Sequence, residues 1–289
     1  MNIKITVDNN FFDNYESYLD VKIKERLISA FKKKHFSFYP TTELLTELFG
    51  LYHTKRKHLL SKYATICLDI IDYRILNGWN TILLSELGID KENKIFLTTT
   101  AVNNIKTIFG ELSTSGECKD IEELLNTVEK EKEENHKKFK ENQDYHFKLL
   151  KEQSVKIPKI KFKEFYNMDF AKKIRRDTVR MIFERAGQSI SEDKISKIID
   201  NPTSYPYYYI SSRIFMALFY RHIVLKRKVG TGDYYDQHYL IYLTNLDYLV
   251  SNDAGVKELS EDVFGSSKKV INFGELVDLL PNNPYNSPK

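Results

Sequence analysis

Residues Ile3-Lys4-Ile5-Thr6-Val7 alternate, are rich in β-branched side chains, and stop at Asp8-Asn9-Asn10. That pattern predicts a short buried strand ending in a polar turn. A helical segment follows to about Lys34, and His35-Phe36-Ser37-Phe38-Tyr39 then predicts a second strand, ended by Pro40. Thr41-Thr42-Glu43 opens a helix with a capping hydroxyl and an early acid. The far end repeats this grammar: a helix from Tyr234 to Leu246, a strand from Tyr248 to Ser251, a short helix, a strand at Val270-Ile271-Asn272, and a helix from Gly274. Strands separated by helices at both ends predict an α/β fold with a parallel central sheet flanked by helices.

The middle differs. From Lys55 to about Lys228 the periodicity is mostly helical, apart from an ambiguous β-branched patch from Ile95 to Thr100. Within it, Lys119 to Glu152 holds eight Lys and ten acids, which predicts a solvated helical arm rather than a pairing helix, since no heptad is sustained. The expected organisation is one discontinuous domain, with a core of about 1–54 and 229–280, a helical insertion at 55–228, and a loose tail at 281–289.

A chain of 289 residues that is 42% apolar can bury a substantial core. Cysteine is limited to Cys67 and Cys118, which excludes a disulfide scaffold and a four-cysteine zinc site. Cys67 reads as a packing residue and Cys118 as an exposed loop thiol. Charged positions from Lys4 to Asp20 break any signal-peptide core, and no run approaches a membrane span, so a cytoplasmic protein without a membrane partner is expected. His53 and His58 lack metal-ligand spacing, and Gly230-Thr231-Gly232 lacks the pattern of a nucleotide loop.

The net charge of +4 conceals a division. Residues 156–185 carry +6 and 213–228 carry +5, whereas 233–289 carry −5. A basic insert joined to an acidic segment suits a phosphate backbone held beside metal-binding carboxylates; ordinary surface charge on amphipathic helices is the alternative. The candidates for phosphate contact are Lys172, Lys173, Arg175, Arg176, Arg180, Arg213, Arg221, Arg227 and Lys228. Tyr205, Tyr207, Tyr208 and Tyr209 either stack on unpaired bases or pack in the core.

Acids stand at the ends of the predicted elements, where a parallel sheet places its ligands. Asp8 follows the first strand, as an acid at the lip of the core or as a helix cap. Asp253 has the same relation to the later strand and the same alternative, a simple turn. Glu47 borders the apolar face of Leu44, Leu45, Leu48 and Phe49, with Glu43 further toward solvent. Asp236 falls on the apolar face near a helix start, with Asp233 a turn earlier. Like charges converging on one sheet edge repel, and a divalent cation would hold them together.

The stretch from Ile5 to Phe11 resembles the opening strand and first acid of the PIN-domain nucleases. Tyr39 to Gly50 is similar to their second strand and the helix bearing the second acid, with Glu47 the better match than Glu43. Asp233 to Asp253 looks like their third acid, its helix, and a strand ending in a Ser/Thr-x-Asp motif, here Ser251-Asn252-Asp253. The resemblance covers about the first fifty and the last sixty residues, and the separation between Glu47 and Asp233 is much longer than in compact members. It implies a PIN-like, Rossmann-like fold and Mg²⁺- or Mn²⁺-dependent hydrolysis of phosphodiester bonds. Asp8, Glu47, Asp236 and Asp253 would be the catalytic metal ligands with Asp233 assisting, and Asn9, Ser251 and Asn252 would support them. The activity it implies is that of an endoribonuclease working as a toxin, a defence effector or an RNA-processing enzyme, with RNA favoured over DNA. An antitoxin or other protein could dock on the insertion, and a homodimer is a further expectation. The alternatives are a structure-specific DNA nuclease and an inactive PIN-like RNA-binding or assembly module.

Overall fold

The computed structural model of the chain describes residues 2–18, 20–71, 74–90, 95–119, 121, 125, 137, 141, 160–227 and 238–281. Its centre is a four-stranded sheet of β1 (Ile3–Val7), β2 (Phe36–Phe38), β3 (Tyr248–Val250) and β4 (Val270–Ile271), in the order β2-β1-β3-β4. All pairs are parallel, with Ile5 opposite Phe38 on one side and Tyr248 on the other, and Val250 opposite both Val7 and Ile271. Parallel strands lie buried between helices, which is why they read as short apolar runs. Ile5, Val7 and Phe38 are fully buried.

Helices α1 (Asn10–Ser17) and α2 (Val21–Lys32) carry the chain from β1 to β2. Asp20 starts α2 by accepting the N–H groups of Lys22 and Ile23. Helix α3 (Thr42–Gly50) begins where the capping pattern placed it: the Thr41 hydroxyl accepts the Leu44 N–H at 3.1 Å. The face predicted for it, Leu44, Leu45, Leu48 and Phe49, is buried.

Among the described residues the middle is filled by helices α4 (Lys57–Ile70), α5 (Trp79–Glu86), α6 (Thr99–Ser115), α7 (Phe162–Asn167), α8 (Asp169–Arg185), α9 (Glu192–Asp200) and α10 (Pro206–Ile223). They share the core of the sheet. Phe12 meets Tyr63 of α4 and Phe49 meets Phe109 of α6, each with ring centres 5.3 Å apart. A second apolar cluster joins Leu83, Val179, Phe183, Ile195, Ile198 and Tyr208 across α5, α8, α9 and α10. The ambiguous patch resolves into a single antiparallel bridge between Phe96 and Leu76, followed by Thr98 capping α6. Cys118, expected as an exposed thiol, is buried in the main core. Of the charged stretch 119–152 only five residues are described, and two of them, Ile121 and Leu125, are buried in that same core.

Beyond β3, α11 (Ala254–Phe264) leads to β4, and α12 (Phe273–Asp278) follows. Asn272 and Glu275 cap α12 reciprocally, at 2.8 and 3.0 Å. The helix expected from Tyr234 is seen over 238–242; its earlier part lies outside the described residues. Among the described residues no helix is long and apolar enough to cross a membrane.

Helix α10 begins with Pro206 and carries no acid in its first turn. Its free N–H groups are met from another helix: the Glu86 carboxylate accepts from Tyr207 and Tyr208 at 2.9 and 2.7 Å. Replacing this acceptor leaves half-buried donors unpaired. Glu86→Ala is therefore expected to lower stability by about 1–2 kcal/mol in urea unfolding; an unchanged midpoint would show that the cap contributes nothing.

Candidate active site

The chain leaves β1 toward β2 on one side, while β3 leads to β4 on the other, so the β1/β3 junction is the point at which an open parallel sheet binds ligands beyond its carboxyl ends. The pairing of Val7 with Val250 places Asp8 beside Ser251. The ladder runs one step further: the Asp8 N–H donates to Val250 O at 3.2 Å and the Ser251 N–H to Ile271 O at 2.9 Å. At that point the Ser251 hydroxyl donates to the Asp8 carboxylate. The same Ser251 oxygen accepts the Asp253 N–H at 3.1 Å, and Asp253 in turn caps α11 by accepting from Val256 at 3.0 Å. Gly255 makes room for this cap, since a Cβ there would lie 3.0 Å from the Asp253 carboxylate.

Asp8 is 9% exposed. Its Oδ2 takes the Ser251 hydroxyl and the Asn10 amide, the latter at 3.3 Å, but its Oδ1 is buried without a hydrogen-bond partner. Burial pushes its pKa up to about 6, against the pull of Ser251, Asn10 and the amides at the start of α1. The Asn9 side-chain oxygen is buried and unpaired beside it. Asp8 thus lies at the lip of the core, and the start of α1 does not neutralise it.

Glu47 and Asp8 both act electrostatically on Tyr239, whose hydroxyl is buried without a hydrogen-bond partner. The Tyr239 phenol is fully buried, and its proton is held far more tightly than usual, first by burial and then by the charges of Glu47, Asp8 and Glu43. Glu43, expected toward solvent, turns inward. The Tyr242 hydroxyl bridges its carboxylate and the Asn77 carbonyl, and the Trp79 N–H approaches at 3.5 Å. Burial raises the Glu43 pKa. Trp79 stacks on His238 at 4.8 Å, and burial keeps that imidazole neutral, with its pKa pulled down to about 3. Tyr239, Tyr242 and Glu43 were not picked out from sequence. The available signal was two hydroxyls on the apolar face of one helix, because a buried Tyr hydroxyl requires a polar partner.

Of the five acids named from sequence, Asp253 is tied to Asp8 through Ser251, and the charges of Asp8 and Glu47 both act on the buried Tyr239 phenol, whose hydroxyl has no hydrogen-bond partner. Asp233 and Asp236 lie outside the described residues, as does Lys228. Among the described residues no three His, Cys, Asp or Glu side chains form a group able to hold a metal ion. Asn252, exposed, accepts the Phe273 N–H at 3.4 Å.

Most of the basic candidates are engaged within the protein. Arg175 is buried against the Tyr166 ring and donates to the carbonyls of Ala171 and Tyr166. Arg176 and Arg180 share Glu192, each at 2.6 Å. Arg213 donates to the carbonyls of Val263 and Asp262 at 2.8 and 3.1 Å, Arg221 pairs with Asp262 at 2.8 Å, and Arg227 pairs with Glu258 at 2.6 Å. Lys172, 3.4 Å from Asp169, and Lys173 are exposed on α8. Tyr207 and Tyr208 are buried, which is the core-packing alternative.

No family model matches the chain, no curated protein matches its sequence, and no solved structure matches its fold.

Because the folded state holds the Asp8 proton more tightly than the unfolded chain, with a pKa of about 6 against 3.8, this group's contribution to stability is greatest below pH 4 and declines as pH rises to about 6. Asp8→Asn removes that decline. In urea unfolding without metal, the variant is expected to gain about 2–3 kcal/mol relative to wild type between pH 4 and pH 7; a difference independent of pH would exclude a desolvated Asp8.

Proposed function

We propose that the chain is a PIN-like, Mg²⁺- or Mn²⁺-dependent nuclease, acting on RNA in preference to DNA. The observation that carries this reading is Asp8: a carboxylate at the β1/β3 junction with one oxygen fixed by Ser251 and the other buried and unpaired. Burying such an oxygen is unfavourable, and a cation beside it would reverse the sign of the local field. The donors nearby are hard oxygens, which suit Mg²⁺ and Mn²⁺. Asp8 would be the first ligand of the ion; Glu47 and Asp253 do not form a metal-holding group with it as they stand, so the ion would have to draw them in, with Asp236 or Asp233 as the further acid expected from sequence. When bound, the metal supplies Lewis-acid charge to a phosphodiester and lowers the pKa of water.

The chain's own residues set the stage for that chemistry. Ser251 orients Asp8 and, by accepting the Asp253 N–H, holds the second acid in register with the first. Tyr239, held as a neutral phenol, adds no charge beside Glu47 and Asp8. Lys173, exposed on α8 beside Lys172 and its solvent-facing pairing with Asp169, would meet a phosphate backbone.

A second reading, a non-hydrolysing PIN-like module, draws on the arginines. Seven of the eight described basic candidates are bound to the protein's own carbonyls and acids, so the insert's charge builds structure.

Calorimetric titration with Mn²⁺ and cleavage of single-stranded RNA beside flapped DNA separate these readings. The nuclease reading expects Mn²⁺ binding and RNA cleavage in wild type, both lost in Asp8→Asn, and a metal affinity about 10–100-fold weaker in Ser251→Ala. Mn²⁺ binding without cleavage of either polymer would favour the module, and preferential cutting of the flap would make DNA the substrate.

A further inference from the structure

Beside the Asp8–Ser251 edge, beyond the carboxyl ends of β3 and β4, lies a cavity of about 540 Å³. That volume falls within the range of small-molecule sites. One wall is the Tyr18 ring, which packs on Phe273 at 5.4 Å, and Phe273 packs on Phe11 at 5.6 Å. The ring therefore stands on a buried aromatic stack that fixes its position. The lining also carries two side-chain amides whose orientations are set by the backbone, Asn14 on α1, one turn before Tyr18, and Asn252 beyond β3. The Asn14 NH₂ donates to Asn10 O at 2.7 Å, which leaves its carbonyl as an acceptor. The Asn252 carbonyl accepts from Phe273, which leaves its NH₂ as a donor. Lys257 supplies a cation at the rim, and the nearby Glu275 is tied to Lys268 and to the Asn272 N–H.

An aromatic platform, a donor and an acceptor fixed apart from it, and a cation are together the chemistry of an unpaired nucleotide. Every base has a face for stacking and an edge of mixed donors and acceptors, and carries a phosphate nearby. We propose that this cavity binds one unpaired nucleotide, with the base on Tyr18, its edge against Asn14 and Asn252, and its phosphate toward Lys257. Ser251 and Asp253 line both the cavity and the candidate active site. On the nuclease reading, and only there, the bound nucleotide is the one adjoining the cleaved bond, and the cavity selects which base stands at that position.

The test uses the whole chain without metal, titrated with each of the four nucleoside 5′-monophosphates and followed by ¹⁵N NMR. At least one is expected to bind in the millimolar range or tighter, moving the signals of Asn252 and Gly274. Tyr18→Ala is expected to weaken binding about 5- to 150-fold, the loss of one base–aromatic stack. Tyr18→Phe retains the ring and the binding. Asn252→Ala, at an exposed position, is expected to weaken binding and alter the order of preference among the bases. Absence of binding by all four, or binding unchanged in both Tyr18→Ala and Asn252→Ala, would overturn the proposal. Mononucleotide binding at the cavity with no RNA cleavage would support the subsite while removing the nuclease reading. Cleavage with no response at the cavity would remove the subsite alone.

Discussion

The structure turns on a carboxylate buried at the junction of two parallel strands. Asp8 sits where β1 ends, and its neighbour across the ladder, Ser251, sits where β3 ends, although 243 residues separate them in sequence. Nothing about an isolated Asp favours burial; it is carried inward because Val7 before it and Phe11 and Phe12 after it are fully or almost fully buried. One hydroxyl and one amide offset part of the desolvation, and an unpaired oxygen remains. A liability of a few kcal/mol is large against a typical net stability of about 5–15 kcal/mol. It persists because the surrounding core is extensive and because strand register fixes Asp8 at the lip of that core.

That core does not stop at the sheet. Phe12 rests on α4, and Phe49 on α6, so the helices between residues 55 and 228 bury the same apolar surface that the strands present. The basic side chains of this region follow the same logic. Arg213 reaches from α10 to the carbonyls of Asp262 and Val263, toward the carboxyl end of α11, where a cation also complements the helix dipole. Arg221 and Arg227 hold acids of the same helix, Asp262 and Glu258. The positive middle and the acidic end of the chain are thereby joined by ion pairs, which explains in part why each is charged.

How much of this could be read in advance follows from what a sequence encodes locally. The four strands and the cap at Thr41 were legible, because short apolar runs and capping hydroxyls act within a few residues; Asp253, read as a site acid or a turn residue, proves also to cap α11. Asp8, Ser251 and Asp253 were legible as a group, since a parallel sheet gathers the ends of its strands. The inward turn of Glu43 was not. Helical periodicity places it toward solvent from α3 alone, and only the arrival of Tyr242, 199 residues later, supplies its partner. The arginine contacts were hidden for the same reason: charge counts locate cations but not the carbonyls that receive them. Cys118 was misjudged because its polar neighbours suggested a loop, while its own side chain packs in the main core.

Glu43 and Glu47 lie one turn apart on α3, and the residues Tyr239 and Tyr242 whose phenols feel their charges are also about one turn apart, but only Glu43 and Tyr242 are hydrogen-bonded. The Glu43–Tyr242 pair is closed by Thr42, the Asn77 carbonyl and the Trp79 N–H, which ties α3 to the start of α5. Its polar atoms face one another, and the charge that acts on the Tyr242 phenol is that of Glu43. Tyr239 is different: its hydroxyl is buried without a hydrogen-bond partner and lies in the field of both Glu47 and Asp8. Closure of the Glu43–Tyr242 pair fixes α3 one turn before Glu47. On the metal-dependent reading, the residue that turned away from solvent anchors the helix that carries the acid proposed for the site.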